Sequence, residues 1–211
     1  HGHAAIVELL IRAGGDINDS RVMGTTALIL ASQQGHVDVV DCLLSLGADA
    51  EARDCEEKTA LMVASQNGRI DVVDRLLAAG CDVNAQDSAG STALMWTSQE
   101  GHVPIIDRLV VHGADFNHHD RRGRNALMLA SKEGRIEAVD RLLSLGCDVN
   151  AQDIRGWTAL MMACSEEKID IVRLLLDHGA DPLICDRKKK TAIHFARSPE
   201  IQTLLNGLIL L

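Results

Sequence analysis

The sequence predicts an all-α solenoid of stacked helix-turn-helix units with projecting β-hairpin loops, and three observations carry that prediction. First, one phrase recurs at a fixed interval of 33 residues: KTALMVASQNGRIDVVDRLLAAGCDVNAQD (58–87), STALMWTSQEGHVPIIDRLVVHGADFNHHD (91–120) and RNALMLASKEGRIEAVDRLLSLGCDVNAQD (124–153). Second, Asp54, Asp87, Asp120, Asp153 and Asp186 each open a unit, with Arg21 in that place in the first. Third, apolar residues fall at helical spacing within every unit, as at Ile70, Val73, Leu76 and Leu77, or Ile136, Val139, Leu142 and Leu143. A strict period of this length means units that bury their apolar faces against their neighbours.

Each unit reads as helix, turn, helix and hairpin. After the opening Asp comes a turn, with Gly24, Gly90, Gly123 or Gly156 where a positive φ is needed. Thr26, Thr59, Thr92, Thr158 and Thr191 follow as N-caps of a short first helix. Its small residues, such as Ala60 and Ala64, permit close helix approach. Gly35, Gly68, Gly101 and Gly134 end it as left-handed C′ residues. A second helix then runs to Gly47, Gly80, Gly113, Gly146 or Gly179, with Pro104 tolerated in a first turn.

Composition narrows the class. Hydrophobic residues make up 46% of 211 and aromatics only 2%, so the core is built from aliphatic residues and Met. No apolar run approaches the ~20 residues of a membrane-spanning helix. The six cysteines (Cys42, Cys55, Cys81, Cys147, Cys164 and Cys185) show no CxxC spacing. Cys81 and Cys147 stand where other units carry Ala, so they read as small buried fillers, suiting a reducing compartment, cytoplasmic or nuclear. A net charge of −9 disfavours generic binding to nucleic acid or an anionic membrane.

These residues together, D-x-x-G-x-T-A-L followed by A-S-x-x-G-H/R-x-x-V-V-D-x-L-L-x-x-G-A/C-D-V-N-A, resemble the ankyrin repeat in length and in nearly every signature position. The resemblance covers the whole chain. It implies full repeats at 21–53, 54–86, 87–119, 120–152 and 153–185, a partial repeat at 1–20, and a shortened C-terminal capping repeat at 186–211. Because residue 1 falls in mid-repeat, a longer natural N-terminus is expected.

The departures from the family pattern are informative. Its Pro is replaced by Ala27, Ala60, Ala93, Ala126 and Ala159. Its His is replaced by Ile29, Met62, Met95, Met128 and Met161, returning only as His194. Loss of that polar clasp implies hairpins held more by packing than by hydrogen bonds. In the fifth unit Glu167-Lys168 replaces the inter-helix Gly-His. A left-handed Glu167 would cost about 1 kcal/mol, so 153–211 is expected to open first, and Glu167→Gly to protect it. In the last unit Ser198-Pro199-Glu200 reads as a cap and first turn, with a helix from Ile201 to Asn206 ending at Gly207. The apolar tail 208–211 is expected to cover the open face of the last repeat or to enter a neighbouring domain.

Candidate chemistry is weighed against this periodicity. Asp41, Asp74, Asp107 and Asp140, with Arg75, Arg108 and Arg141, read as alternating charges on an outer face rather than a catalytic or metal-binding column. The histidines recur at fixed positions, and His118-His119 lacks partners at zinc-ligand spacing. No phosphate loop or nucleophile motif is present. The sequence therefore points to no enzyme, no metal and no cofactor.

Variable positions remain. The resemblance implies that hairpin tips and first helices line a concave binding surface. Eight of the 21 basic residues gather in three adjacent tips: Arg121, Arg122, Arg124, Arg155, Arg187, Lys188, Lys189 and Lys190. Trp157 stands among them where no ring is structurally required, and Lys132 and Glu133 lie on the adjoining first helix. Trp96 occupies an apolar position in every unit and reads as core. The expected partner is another protein, docking an acidic segment on these tips with Trp157 as anchor, and the fragment is expected to be monomeric. Two alternatives are a regulatory array holding a phosphorylated ligand on the basic tips, and the recognition arm of an enzyme whose catalytic domain lies elsewhere. Scarce aromatics argue against nucleic acid. Finally, Leu76, Leu109 and Leu142 precede Asn84, Asn117 and Asn150 by eight residues, resembling ankyrin-type sites of an asparaginyl hydroxylase, with Asn84 and Asn150 as the candidates.

Overall fold

The computed structural model describes residues 3–20 and 23–209, with side chains through residue 207. Arg21 as an opening residue, Val22 at the first tip, Gly2 and the Leu210-Leu211 end of the apolar tail lie outside the described residues, as do the side chains of Leu208 and Ile209.

Among the described residues there are twelve α-helices and no strand: α1 (Ala4–Arg12), α2 (Ala27–Gln34), α3 (Val37–Ser45), α4 (Ala60–Gln66), α5 (Ile70–Ala78), α6 (Ala93–Glu100), α7 (Val103–Val111), α8 (Ala126–Glu133), α9 (Ile136–Ser144), α10 (Ala159–Ser165), α11 (Ile169–Asp177) and α12 (Pro199–Ile209). A 3-10 turn at Ala192–His194 stands where the last first-helix would be. The chain forms two compact units. One comprises His1–Thr97 with Pro104–Asp115, and the other Ser98–Val103 with Phe116–Leu211.

Within the first unit, α2 packs on α4 while α3 packs on α1 and α5. The hydroxyls of Thr26, Thr59 and Thr92 accept the N–H groups of Ile29, Met62 and Met95 at 3.3–3.4 Å. These are the predicted N-caps, each satisfying one orphan helical donor. Helix α4 is buried along Ala60, Leu61, Met62, Val63 and Ala64, and α5 buries Val72, Val73, Leu76 and Leu77. The outer charges pair across neighbours, Arg75 with Asp41 at 3.6 Å and Arg108 with Asp74 at 3.3 Å.

In the second unit α8 packs on α9 and α10, and α10 on α11 and the 3-10 turn. Here Asn125 takes the capping place, its Oδ1 accepting Met128 N–H at 2.9 Å, and Thr158 caps α10. The buried stripe of α9 is Ala138, Val139, Leu142 and Leu143, while Ile136 is exposed. Every residue replacing the family's His (Ile29, Met62, Met95, Met128, Met161) is at most 2% exposed, so these positions became core.

Two expectations are corrected, and a third meets an opposing interaction. The hairpins are held by hydrogen bonds after all. At Asp54, Asp87, Asp120, Asp153 and Asp186 the carboxylate accepts two backbone N–H groups through Oδ1, as Asp87 does from Ala89 and Ser91, and Asp153 from Arg155 and Trp157, these four at 2.8 Å. A short Asp side chain imitates a backbone turn and needs no His. Helix α12 does not stop at Asn206. It runs through Gly207 to Ile209, because Gly207 keeps φ outside the left-handed region at a cost of only about 0.5–1 kcal/mol. Glu167 is left-handed, at φ 56°, but its carboxylate accepts the N–H groups of Arg197 and Ser198 at 2.7 and 3.0 Å. These two charge-assisted bonds oppose the strain at Glu167.

Candidate functional site

Three tips of the second unit follow one plan. Asp120, Asp153 and Asp186 are buried, and each closes its turn by accepting two backbone N–H groups. Burying these carboxylates forces the next side chains outward and supplies negative charge beneath them. Arg124 answers Asp120, with its Nε 2.8 Å from Oδ2. Arg155 answers Asp153 at 3.3 Å. The Asp186 carboxyl lies below the ordinary aspartate range, held there first by the backbone N–H of Lys190, with burial opposing, then by that of Lys188, the Lys190 ammonium and the Trp157 indole.

Trp157 is half-buried. Its ring meets Phe195 at 4.5 Å between centroids and a tilt of 50°. The Arg155 guanidinium lies 4.7 Å from the ring centroid on a second side, a contact worth about 0.5–1 kcal/mol at an exposed site. The indole is thus fixed from two directions before any partner arrives, with part of its surface still open.

Around it lies a groove of about 550 Å³, lined by Arg122, Arg124, Lys132, Asp153, Ile154, Arg155, Trp157, Met162, Ser165 and Glu166. Four cations face two carboxylates. Five predicted site residues (Arg122, Arg124, Lys132, Arg155 and Trp157) therefore meet in one concavity. Arg121, Arg187, Lys188 and Lys190 are exposed on the tips outside it. Glu133 is not in the lining and holds the Lys132 ammonium at 3.0 Å. The lining also includes Met162 and Ser165, which sequence reasoning did not select because both occupy ordinary positions of a first helix; Met162 is buried at the groove floor and Ser165 is partly exposed.

Trp96 corrects the core reading. It is half-buried, its Nε1 donating to Asp87 Oδ2 at 3.0 Å with the Lys58 ammonium 4.1 Å above the ring. Indole carries a donor that an aliphatic core cannot satisfy, so the ring reaches the tip's aspartate instead. Asn84 and Asn150 each bridge to the next exit loop. Asn84 donates to Gly113 O at 3.0 Å and accepts Asp115 N–H at 2.9 Å. Asn150 does the same with Gly179 and Asp181 at 3.3 and 2.8 Å. Among the described residues no group of three or more His, Cys, Asp or Glu is placed to hold a metal, and no helix is long and apolar enough to cross a membrane.

The fold has solved counterparts. The crystal structure of the human ASB11 ankyrin repeat domain is 23% identical and covers 98% of this chain and 93% of its own, with a TM-score of 0.88; at that identity it shows the fold alone. The ankyrin repeat domain of Bcl-3, described as a unique member of the IkappaB protein family, is 28% identical and covers 97% of this chain and 92% of its own, with a TM-score of 0.82. No curated protein matches the chain in sequence. The family described as ankyrin repeats (3 copies) matches residues 1–87, 75–153 and 146–207. With nearly every residue so matched, the chain belongs to the ankyrin-repeat family, a general protein–protein interaction module.

Proposed function

We propose that this chain is a non-catalytic adaptor or scaffold module that captures a partner protein by an acidic segment laid into the groove around Trp157. One observation carries the reading: Arg122, Arg124, Lys132 and Arg155 converge on a single concavity with an aromatic ring already fixed in place. Aromatic and arginine side chains dominate interface energetics when they are preorganised and desolvated on binding. Arg121, Arg187, Lys188 and Lys190 extend the positive potential beyond the groove and would speed encounter with an acidic partner.

A phosphorylated ligand on the same tips is a weaker reading. Arg124 and Arg155 already serve Asp120 and Asp153, whose side chains are 0% and 1% exposed. Those fixed negative charges repel a dianion more strongly than a singly charged carboxylate. The free thiols of the six cysteines fit a cytoplasmic or nuclear setting. The repeat boundaries read from the sequence are retained as part of this proposal.

The test is comparative capture. A partner retained by the wild-type chain and cross-linked to Lys132 or Lys188 should be lost from the Arg122→Glu, Arg155→Glu double variant. Undiminished retention, or cross-links confined to the first unit, would remove the groove from consideration.

A further inference from the structure

Arg122, Arg155 and Lys188 hold the same register position in three consecutive tips, and all three are exposed. Arg122 and Lys188 make no ion pair with any described residue. Neighbouring tips are joined directly. Ile154 N–H donates to Arg122 O at 3.0 Å, and Arg187 N–H donates to Arg155 O at 2.9 Å. The approach leaves no spare room: a Cβ on Gly123 would lie 2.9 Å from the Ile154 nitrogen, and one on Gly156 3.0 Å from the Asp186 Cα.

This geometry sets the period of the charges. From Arg122 to Arg155 the path is one hydrogen-bonded step of about 5 Å and one residue of about 3.8 Å, giving at most about 9 Å. Packed helices keep axes about 8–10 Å apart, so the helices behind the tips repeat at a similar interval.

An extended ligand can match such a ladder only if its own side chains return at that distance. A β-strand rises about 3.3 Å per residue and returns a side chain to one face after about 7 Å, then about 13 Å. Neither value fits. A polyproline II segment has three residues per turn and about 3.1 Å per residue, so every third side chain returns to one face after about 9 Å. That fits. The position two residues on carries Arg124, Trp157 and Lys190, and the Arg155 guanidinium lies 4.7 Å from the Trp157 ring centroid, so the fixed indole stands beside the central cation. Aromatic rings are the surfaces on which polyproline II ligands seat their prolines.

We propose that the tips of the second unit read an acidic segment in polyproline II conformation, with an acidic residue at every third position opposite Arg122, Arg155 and Lys188 and a proline against Trp157. The inference rests on the groove reading above and adds a spacing rule to it.

Two fluorescently labelled peptides of identical composition decide the matter. In one, Glu-Pro-Pro is repeated three times and closed by Glu; in the other, the same glutamates are gathered in a block ahead of the prolines. Fluorescence anisotropy should show the phased peptide binding about tenfold more tightly. Arg155→Gln, with its fold confirmed by circular dichroism, should reduce the phased peptide to the affinity of the block. Equal affinities in the wild-type chain, both lost in Trp157→Ala, would overturn the spacing rule while the groove reading stands. Binding of neither peptide would overturn both. A single-stranded oligonucleotide that binds more tightly than the phased peptide would also overturn the proposal.

Discussion

The carboxylate of Glu167 accepts the backbone N–H of Arg197 at 2.7 Å, from a residue whose own φ is 56°. Its second oxygen takes the Ser198 N–H at 3.0 Å, and the Arg197 guanidinium donates back to Ser165 O at 3.1 Å. A glycine here would relieve about 1 kcal/mol of backbone strain. It would also leave two donors without their charged acceptor, a loss of about 1.5–3 kcal/mol before solvent compensation. We expect Glu167→Gly to be destabilising by about 1 kcal/mol, and hydrogen exchange of 192–209 to accelerate. Slower exchange in the variant would show that strain outweighs the cap.

That reversal marks where sequence reasoning ends. The repeat, its caps and its left-handed turns were legible because each depends on residues close in the chain: Thr59 on Met62, Gly35 on the turn it makes. Glu167 was legible as strain and not as a cap, since Arg197 lies 30 residues away. The basic tips could be read from their 33-residue phase. Their partial neutralisation by Asp120 and Asp153 could not, because the depth of a carboxylate is not written in a turn motif. Trp96 misled for a related reason: its periodic position is apolar, but its N–H needs an acceptor, and Asp87 supplied one.

Titration should divide the chain by end of the pH scale. Asp186 has a depressed folded pKa, so its contribution is present above the ordinary aspartate value near about 3.9 and is lost as pH falls through the lower folded value. The Lys188 and Lys190 amides should lose protection in that acid window, and Asp186→Asn should flatten the dependence. Burial, reinforced by Glu51, pushes Cys81 up to about 11, and burial with Glu167 pushes Cys164 up to about 12. Their folded pKa values are raised, so stability is full below the unfolded thiol value near about 8.5 and falls above it as the unfolded chain ionises first. Urea midpoints should accordingly decline on the alkaline side. At neutral pH, alkylation followed by mass spectrometry should label exposed Cys55 and Cys185 before Cys81 and Cys164.

Asn84 and Asn150 offer a test of modification against architecture. Each amide spans two backbone groups of the next exit loop, so an asparaginyl hydroxylase must free the side chain before acting. We expect both to gain one oxygen on incubation with such an enzyme, more slowly as added osmolyte raises stability. Unchanged peptide masses would dismiss the sites. Replacing either with Ala should cost about 1–2 kcal/mol through the two lost hydrogen bonds.

Trp157 is the residue on which stability and recognition meet, and its two roles can be separated. It packs on Phe195, sits beneath Arg155 and donates toward Asp186, so Trp157→Ala should loosen the last tip and the 3-10 turn as well as the groove. A loss of about 2 kcal/mol in partner binding is expected from truncating an anchor of this kind, but part of it would reflect the disturbed scaffold. Phe195→Leu provides the control. It removes the ring behind Trp157 without touching the groove lining, and should lower stability by about 1 kcal/mol while binding falls less. Charge reversal at Arg122 should leave stability unchanged and slow association, with an effect that shrinks as salt is added. Stopped-flow association rates for the three variants against salt concentration would read these contributions apart. If Trp157→Ala and Phe195→Leu weaken binding equally, Trp157 acts only as scaffold, and the anchor must be sought at exposed Ile154.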